Sequence, residues 1–135
     1  MKTGSKIVSI LVILVALLRL VSCWTRADSH GKKLEFNGGE LYYTSAVTEA
    51  ETKKLGEYLV KESFFDGTKK TAQLNKSGST YEFRVVAKPG VADNPKMIEL
   101  FKTVAAELST NVFNGSEVVV HLCDDSLKTV KVIPK

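Results

Sequence analysis

The chain has 135 residues, 19 Lys and Arg against 15 Asp and Glu, and a net charge of +4. Lys2, Lys6 and Arg19 supply three of those four excess charges, so everything after Cys23 stands at about +1. A nucleic-acid binder carries its basic surplus on the folded domain, and this near-balance argues against nucleic acid as a partner. The length leaves room for one domain of about 100 residues once the N-terminus is set aside.

The N-terminus reads as a targeting or anchoring segment, residues 1–24. Lys2 and Lys6 precede an apolar run from Ile7 to Leu18, the order of a basic flank and a hydrophobic core in export signals. Twelve residues span about 18 Å as a helix, short of the roughly 30 Å hydrocarbon core. Continuing the helix from Ile7 to Trp24 reaches about 27 Å, with Trp24 at the interface and Arg19 able to snorkel outward. Residues 7–24 are thus the expected membrane contact.

Leu20-Val21-Ser22-Cys23 resembles the lipobox of bacterial lipoproteins. That resemblance implies lipidation of Cys23 and a domain on the outer side of a bacterial membrane. Arg19 departs from the pattern, because the apolar core normally continues up to the box. Three readings stand: a lipoprotein beginning at Cys23, an uncleaved anchor, or cleavage after Ala27. The short basic N-terminus favours an extracytoplasmic domain, periplasmic or at the cell surface.

Residues 25–33 are polar and read as a linker, and residues 34–135 as the folded domain. Leu34 to Tyr43 carries two β-prone pieces around Asn37-Gly38-Gly39, a hairpin signal. Thr48-Glu49-Ala50-Glu51 has capping-box spacing, and a helix is expected from there to about Phe64, stopped by Asp66-Gly67. Lys69–Leu74 reads as a strand and Asn75–Gly78 as a turn. Tyr81–Lys88 then alternates cleanly, with Tyr81, Phe83, Val85 and Ala87 on one face. Asn94-Pro95 opens a second helix, with Ile98, Phe101, Val104, Ala105, Leu108 and Val112 forming its apolar stripe. Val118–Cys123 and Leu127–Ile133 read as strands around Asp124-Asp125-Ser126.

The expected order is β-α-β-β-α-β with an added final strand. It predicts an α+β domain of ferredoxin-like (split βαβ) topology, a mostly antiparallel sheet with two helices on one face. An internal echo supports two halves: Phe65-Asp66-Gly67-Thr68 and Phe113-Asn114-Gly115-Ser116 each leave a helix and enter a strand, 48 residues apart.

Candidate chemistry is thin. His121, Cys123, Asp124 and Asp125 form the densest cluster of metal- or thiol-competent side chains, and a small metal-binding or thiol-dependent enzyme would use them. Zinc needs three or four ligands, and the other histidine, His30, falls in the linker. No metal or cofactor is therefore expected, and turn-forming aspartates beside a packed cysteine account for the same residues. The adjacent pairs Tyr42-Tyr43 and Phe64-Phe65 raise a different expectation: their outward members could cluster into an apolar partner patch. The functional expectation is a membrane-tethered, non-enzymatic interaction module for a protein or envelope component. An accessory subunit of a membrane complex is the other non-catalytic reading.

Overall fold

A computed structural model describes residues 30–134. The lipidation candidate Cys23 and the expected membrane segment 7–24 lie outside the described residues. Among those described, no helix is long and apolar enough to cross a membrane.

The elements run β1 (Lys32–Phe36), β2 (Gly39–Tyr43), α1 (Glu49–Lys61), β3 (Thr71–Ser77), β4 (Thr80–Val86), a 3-10 turn (Val91–Asp93), α2 (Pro95–Asn111), β5 (Val118–Cys123) and β6 (Thr129–Val132). β1 begins at Lys32, inside the stretch read as linker. The β1–β2 turn has Asn37 at φ 44° and Gly38 at φ 83°, the positive pair that a tight type I′ hairpin turn requires. Thr48 caps α1 by accepting the Glu51 amide at 3.1 Å. Asn94 caps α2 by accepting from Lys96 and Met97, with Pro95 at the first helical position.

β3 extends to Ser77, past the expected end at Leu74. Asn75, taken from the sequence as a turn residue, is instead a strand residue opposite Glu82. Its amide donates to the Glu82 carboxylate at 2.8 Å, while its own oxygen accepts the Thr44 hydroxyl. A cross-strand partner thus overrides the turn preference of Asn.

The six strands form one mixed sheet in consecutive order, β1 to β6. β1–β2, β3–β4 and β5–β6 are antiparallel, while β2–β3 and β4–β5 are parallel. This corrects the ferredoxin-like expectation. In a split βαβ sheet each helix crosses over an intervening strand, whereas here each helix returns to the neighbouring position. The N-terminal hairpin also adds β1, so the order is ββαββαββ.

Leu41, Tyr43, Ala72, Leu74, Phe83, Val85, Val118, Val120 and Leu122 are all buried, and their pairings put them on one sheet face. Leu55, Leu59, Phe101 and Leu108 of the helices belong to the same core cluster. Where the helices approach each other, Asn111 Nδ2 donates to the Tyr58 hydroxyl at 3.3 Å. Gly56 lets α1 approach β1 closely, since a β-carbon there would meet the Phe36 ring.

Both crossovers advance along the sheet in the same direction, but β2 and β4 run oppositely. With both helices on one face, the two βαβ units therefore have opposite hand, and one is of the rare left-handed kind. No rotation superposes units of opposite hand. The 48-residue echo is accordingly a shared way of leaving a helix, not a duplicated half-domain: Phe65 and Phe113 are both buried, and Gly67 and Gly115 both take positive φ.

Candidate binding face of the sheet

The face opposite the helices is polar. One cross-strand row runs over all six strands through successive pairs: Lys33, Tyr42, Gln73, Arg84, His121 and Val132. Period-two alternation produces it, because each of these residues neighbours a core residue along its own strand. Glu82 stands two residues before Arg84 on the same face.

Arg84 is the centre of this face. Its Nη2 donates to the Leu127 carbonyl at 2.6 Å, and its Nη1 lies 3.4 Å from His121 Nδ1. Thr129 Oγ1 is 3.2 Å from the same nitrogen. A guanidinium only donates, so Nδ1 is assigned as the acceptor and Nε2 carries the proton, 3.8 Å from Glu82 Oε2. Burial lowers the His121 pKa; the Glu82 carboxylate opposes this and the Arg84 charge adds to it. Burial therefore favours the neutral ring. Arg84 Nε is buried with no acceptor among the described residues.

Cys123 is 1% exposed, and its thiol donates to the His121 carbonyl at 3.7 Å. Burial raises its pKa, with the Arg84 charge only partly offsetting it, so the sulfur is a protonated, packed group and a poor nucleophile. Asp124 spends its Oδ1 on the amides of Ser126 and Lys128, while Asp125 is exposed. Among the described residues, no group of three or more His, Cys, Asp and Glu is placed to hold a metal ion. The His121–Cys123–Asp124–Asp125 cluster is thus divided between a sheet network, a packed thiol and a turn.

The four aromatics of the adjacent pairs are placed apart. Tyr43 and Phe65 are buried. Their neighbours go to opposite sides of the sheet: Tyr42 lies on the polar face, 5.5 Å from the His30 ring in an edge contact. Phe64 packs on the core side against Phe65 and Phe83 at 5.3 and 5.9 Å, under Lys70. A strand residue and a helix-exit residue follow different periods, so one outward member of each pair does not imply a common patch.

His30, read as linker, folds onto the polar face instead. Its carbonyl accepts from Gln73 Nε2 at 2.9 Å. A separate concavity of about 430 Å³ lies between α2 and the end of β6, lined in part by Ala105, Val118 and Ile133. Lys102 at its rim pairs with Glu99, and Ser109 donates to the Ser116 carbonyl.

The two sheet edges differ. β1 carries Lys32, Lys33 and Glu35, charges that discourage strand addition. β6 exposes Val130 at 63% and Val132 at 49%, with Lys131 between them. The sequence pattern identified β6 as a strand but carried no sign that it would be an edge.

No curated protein and no solved structure matches the chain. Residues 33–133 match the family model described as the AF_1994_N family N-terminal domain, and with most of the chain covered, the protein belongs to that family.

Proposed function

We propose that this domain is a membrane-tethered, non-enzymatic interaction module that receives an extended segment of a protein partner along β6. The tether is the N-terminal segment through Trp24, with the domain outside the cytoplasm. The observation that carries the reading is the contrast between edges. Natural edge strands are blunted by charge; β1 carries three charged residues in five, whereas β6 has Lys131 alone between two exposed valines. An added strand would take up the free backbone groups of β6 and cover Val130 and Val132.

The test is a photo-crosslinking residue placed at position 130 or 132 of the full chain in its native membrane, with position 100 on α2 as the control. A discrete adduct from 130 and 132 but not from 100, lost in the V130K/V132K background, is the expected result. No adduct at either position, or equal adducts at all three, overturns the reading.

A further inference from the structure

We infer that His121 is a proton-operated latch on the turn between β5 and β6: when its ring takes up a proton, Arg84 lets go of the Leu127 carbonyl and the turn loosens from the sheet. The latch lies inside the domain and stands or falls independently of what pairs with β6.

The turn is closed on itself by Asp124. The Asp124 carbonyl accepts the Leu127 amide and its Oδ1 the amides of Ser126 and Lys128, while the Asp124 amide donates to the Lys128 carbonyl. From outside the turn, Arg84 Nη2 donates to the Leu127 carbonyl at 2.6 Å. Leu127 is buried and carries φ 59°, a left-handed conformation that a leucine keeps only where its surroundings hold it. The other arm of the same guanidinium rests on His121, with Nη1 3.4 Å from Nδ1. Arg84 thus touches the imidazole with one nitrogen and holds the turn with another.

The groups around the ring decide what a proton does. Glu82 and Arg84 face it from β4 and Thr129 from β6. Val132 is its register partner, and on its own strand the Cys123 thiol donates to its carbonyl. A neutral ring accepts at Nδ1, whereas a protonated one donates at both nitrogens. Protonation therefore sets two cationic donors against each other at Nη1 and Nδ1, where like charges repel. The imidazolium keeps its place. Its Nε2 is 3.8 Å from Glu82 Oε2, and Asn75 holds that carboxylate through Oε1; its Nδ1 donates instead to the Thr129 hydroxyl, 3.2 Å away. Arg84 is the group that yields, because its partners are the neutral Leu127 carbonyl and the ring itself. A long, flexible side chain also swings away more readily than a ring held at both nitrogens. With it goes the hydrogen bond to Leu127. Burial favours the neutral ring, so the latch is closed at neutral pH and opens on acidification.

The test is an NMR titration of the full chain in detergent micelles from pH 7.5 to 5. It follows the His121 ring protons together with amide-exchange protection, corrected for the intrinsic effect of pH. Protection at Ser126, Leu127 and Lys128 should fall about tenfold or more, as expected for losing a hydrogen bond to a charged group. The midpoint should match that of the ring, while the amides of Phe83 and Val120 keep their protection. H121N, which cannot take up the charge, should keep the turn as protected at pH 5 as at pH 7.5. A ring that titrates without change at 126–128, a ring that stays neutral down to pH 5, or a loss spread evenly over the sheet overturns the latch. So does a turn that loosens equally in H121N, which would place the titrating group among the carboxylates. Should H121N not fold, R84M replaces it: its turn should be loose already at pH 7.5 with no further fall at pH 5, and a turn that stays protected or still responds to acid overturns the latch.

Discussion

Arg84 Nη2 donates to the carbonyl of Leu127 at 2.6 Å, and Leu127 is a buried non-glycine residue with φ 59°. A side chain on β4 thereby holds a left-handed backbone conformation in the β5–β6 turn. Such a conformation costs a leucine roughly 1–2 kcal/mol, so it persists only where surrounding contacts favour it. Asp124 supports the same turn, its carbonyl accepting the Leu127 amide at 2.9 Å.

R84M removes the charged donor while keeping much of the aliphatic stem. Hydrogen bonds to charged groups contribute about 1.5–3 kcal/mol, and a loss in that range is expected by urea denaturation. Increased amide exchange should be concentrated at residues 124–129, because the Leu127 turn loses its anchor. A uniform change across the sheet would count against this role for Arg84.

His121 makes stability depend on pH. Its folded pKa lies below the ordinary value, chiefly through burial, so the native state binds the imidazole proton less readily than the unfolded chain. The stabilisation is complete above the unfolded pKa of about 6.5 and is lost as pH falls from there through the folded value. The groups facing the ring are Glu82, Arg84 and Thr129. Urea midpoints of wild type and H121Q, taken from pH 7.5 to 5, should show the steeper decline in the wild type.

G56A sets helix propensity against packing. Replacing glycine within a helix gains about 1 kcal/mol, but the new methyl meets the Phe36 ring, and overpacking costs about 1–3 kcal/mol. The packing penalty is the larger, so G56A should lower stability, and G56A/F36L should recover part of the loss. A stabilised G56A would mean that Phe36 moves aside freely.

Phe83 is fully buried near the sheet centre, between Leu74 and Val120 in register. F83A should cost about 3–5 kcal/mol, enough to remove much of the stability of a domain this size. V86A, on the polar side of the same strand, should change stability far less. Equal losses would contradict the one-sided core.

Cys123 should react with a thiol reagent only when the fold opens. The sulfur is buried and its pKa raised, and reaction needs an exposed thiolate. The labelling rate in native buffer should track the opening equilibrium as denaturant is added. Fast labelling without denaturant would indicate an accessible thiol and revive the thiol-enzyme reading.

Much of the local structure is legible in single stretches of chain. Asn37-Gly38 announces its turn, Thr48 and Asn94 their helix starts, and Tyr81 to Val85 its buried face, because capping, turn geometry and period-two alternation act over a few residues. The polar face of the sheet is not legible in the same way. Alternation puts Glu82 and Arg84 on the face opposite Tyr81 and Phe83, and nothing in β4 alone says that Gln73 and His121 flank Arg84 or that Thr129 reaches the same imidazole. Only pairing between distant strands brings them together.

The amino-acid order alone thus determined which segments become helices and strands, which side of each is apolar, and that one small α+β domain results. Tertiary structure decided the order of strands, the mixed sheet with its two crossovers of opposite hand, and which strand became an exposed edge. It also dispersed the Tyr42–Phe64 patch and gathered the row through Arg84. The reason is physical: propensity and periodicity are short-range and constrain each element by itself. Strand neighbours and helix placement follow instead from how those elements bury a common apolar face, a choice that any one element leaves open.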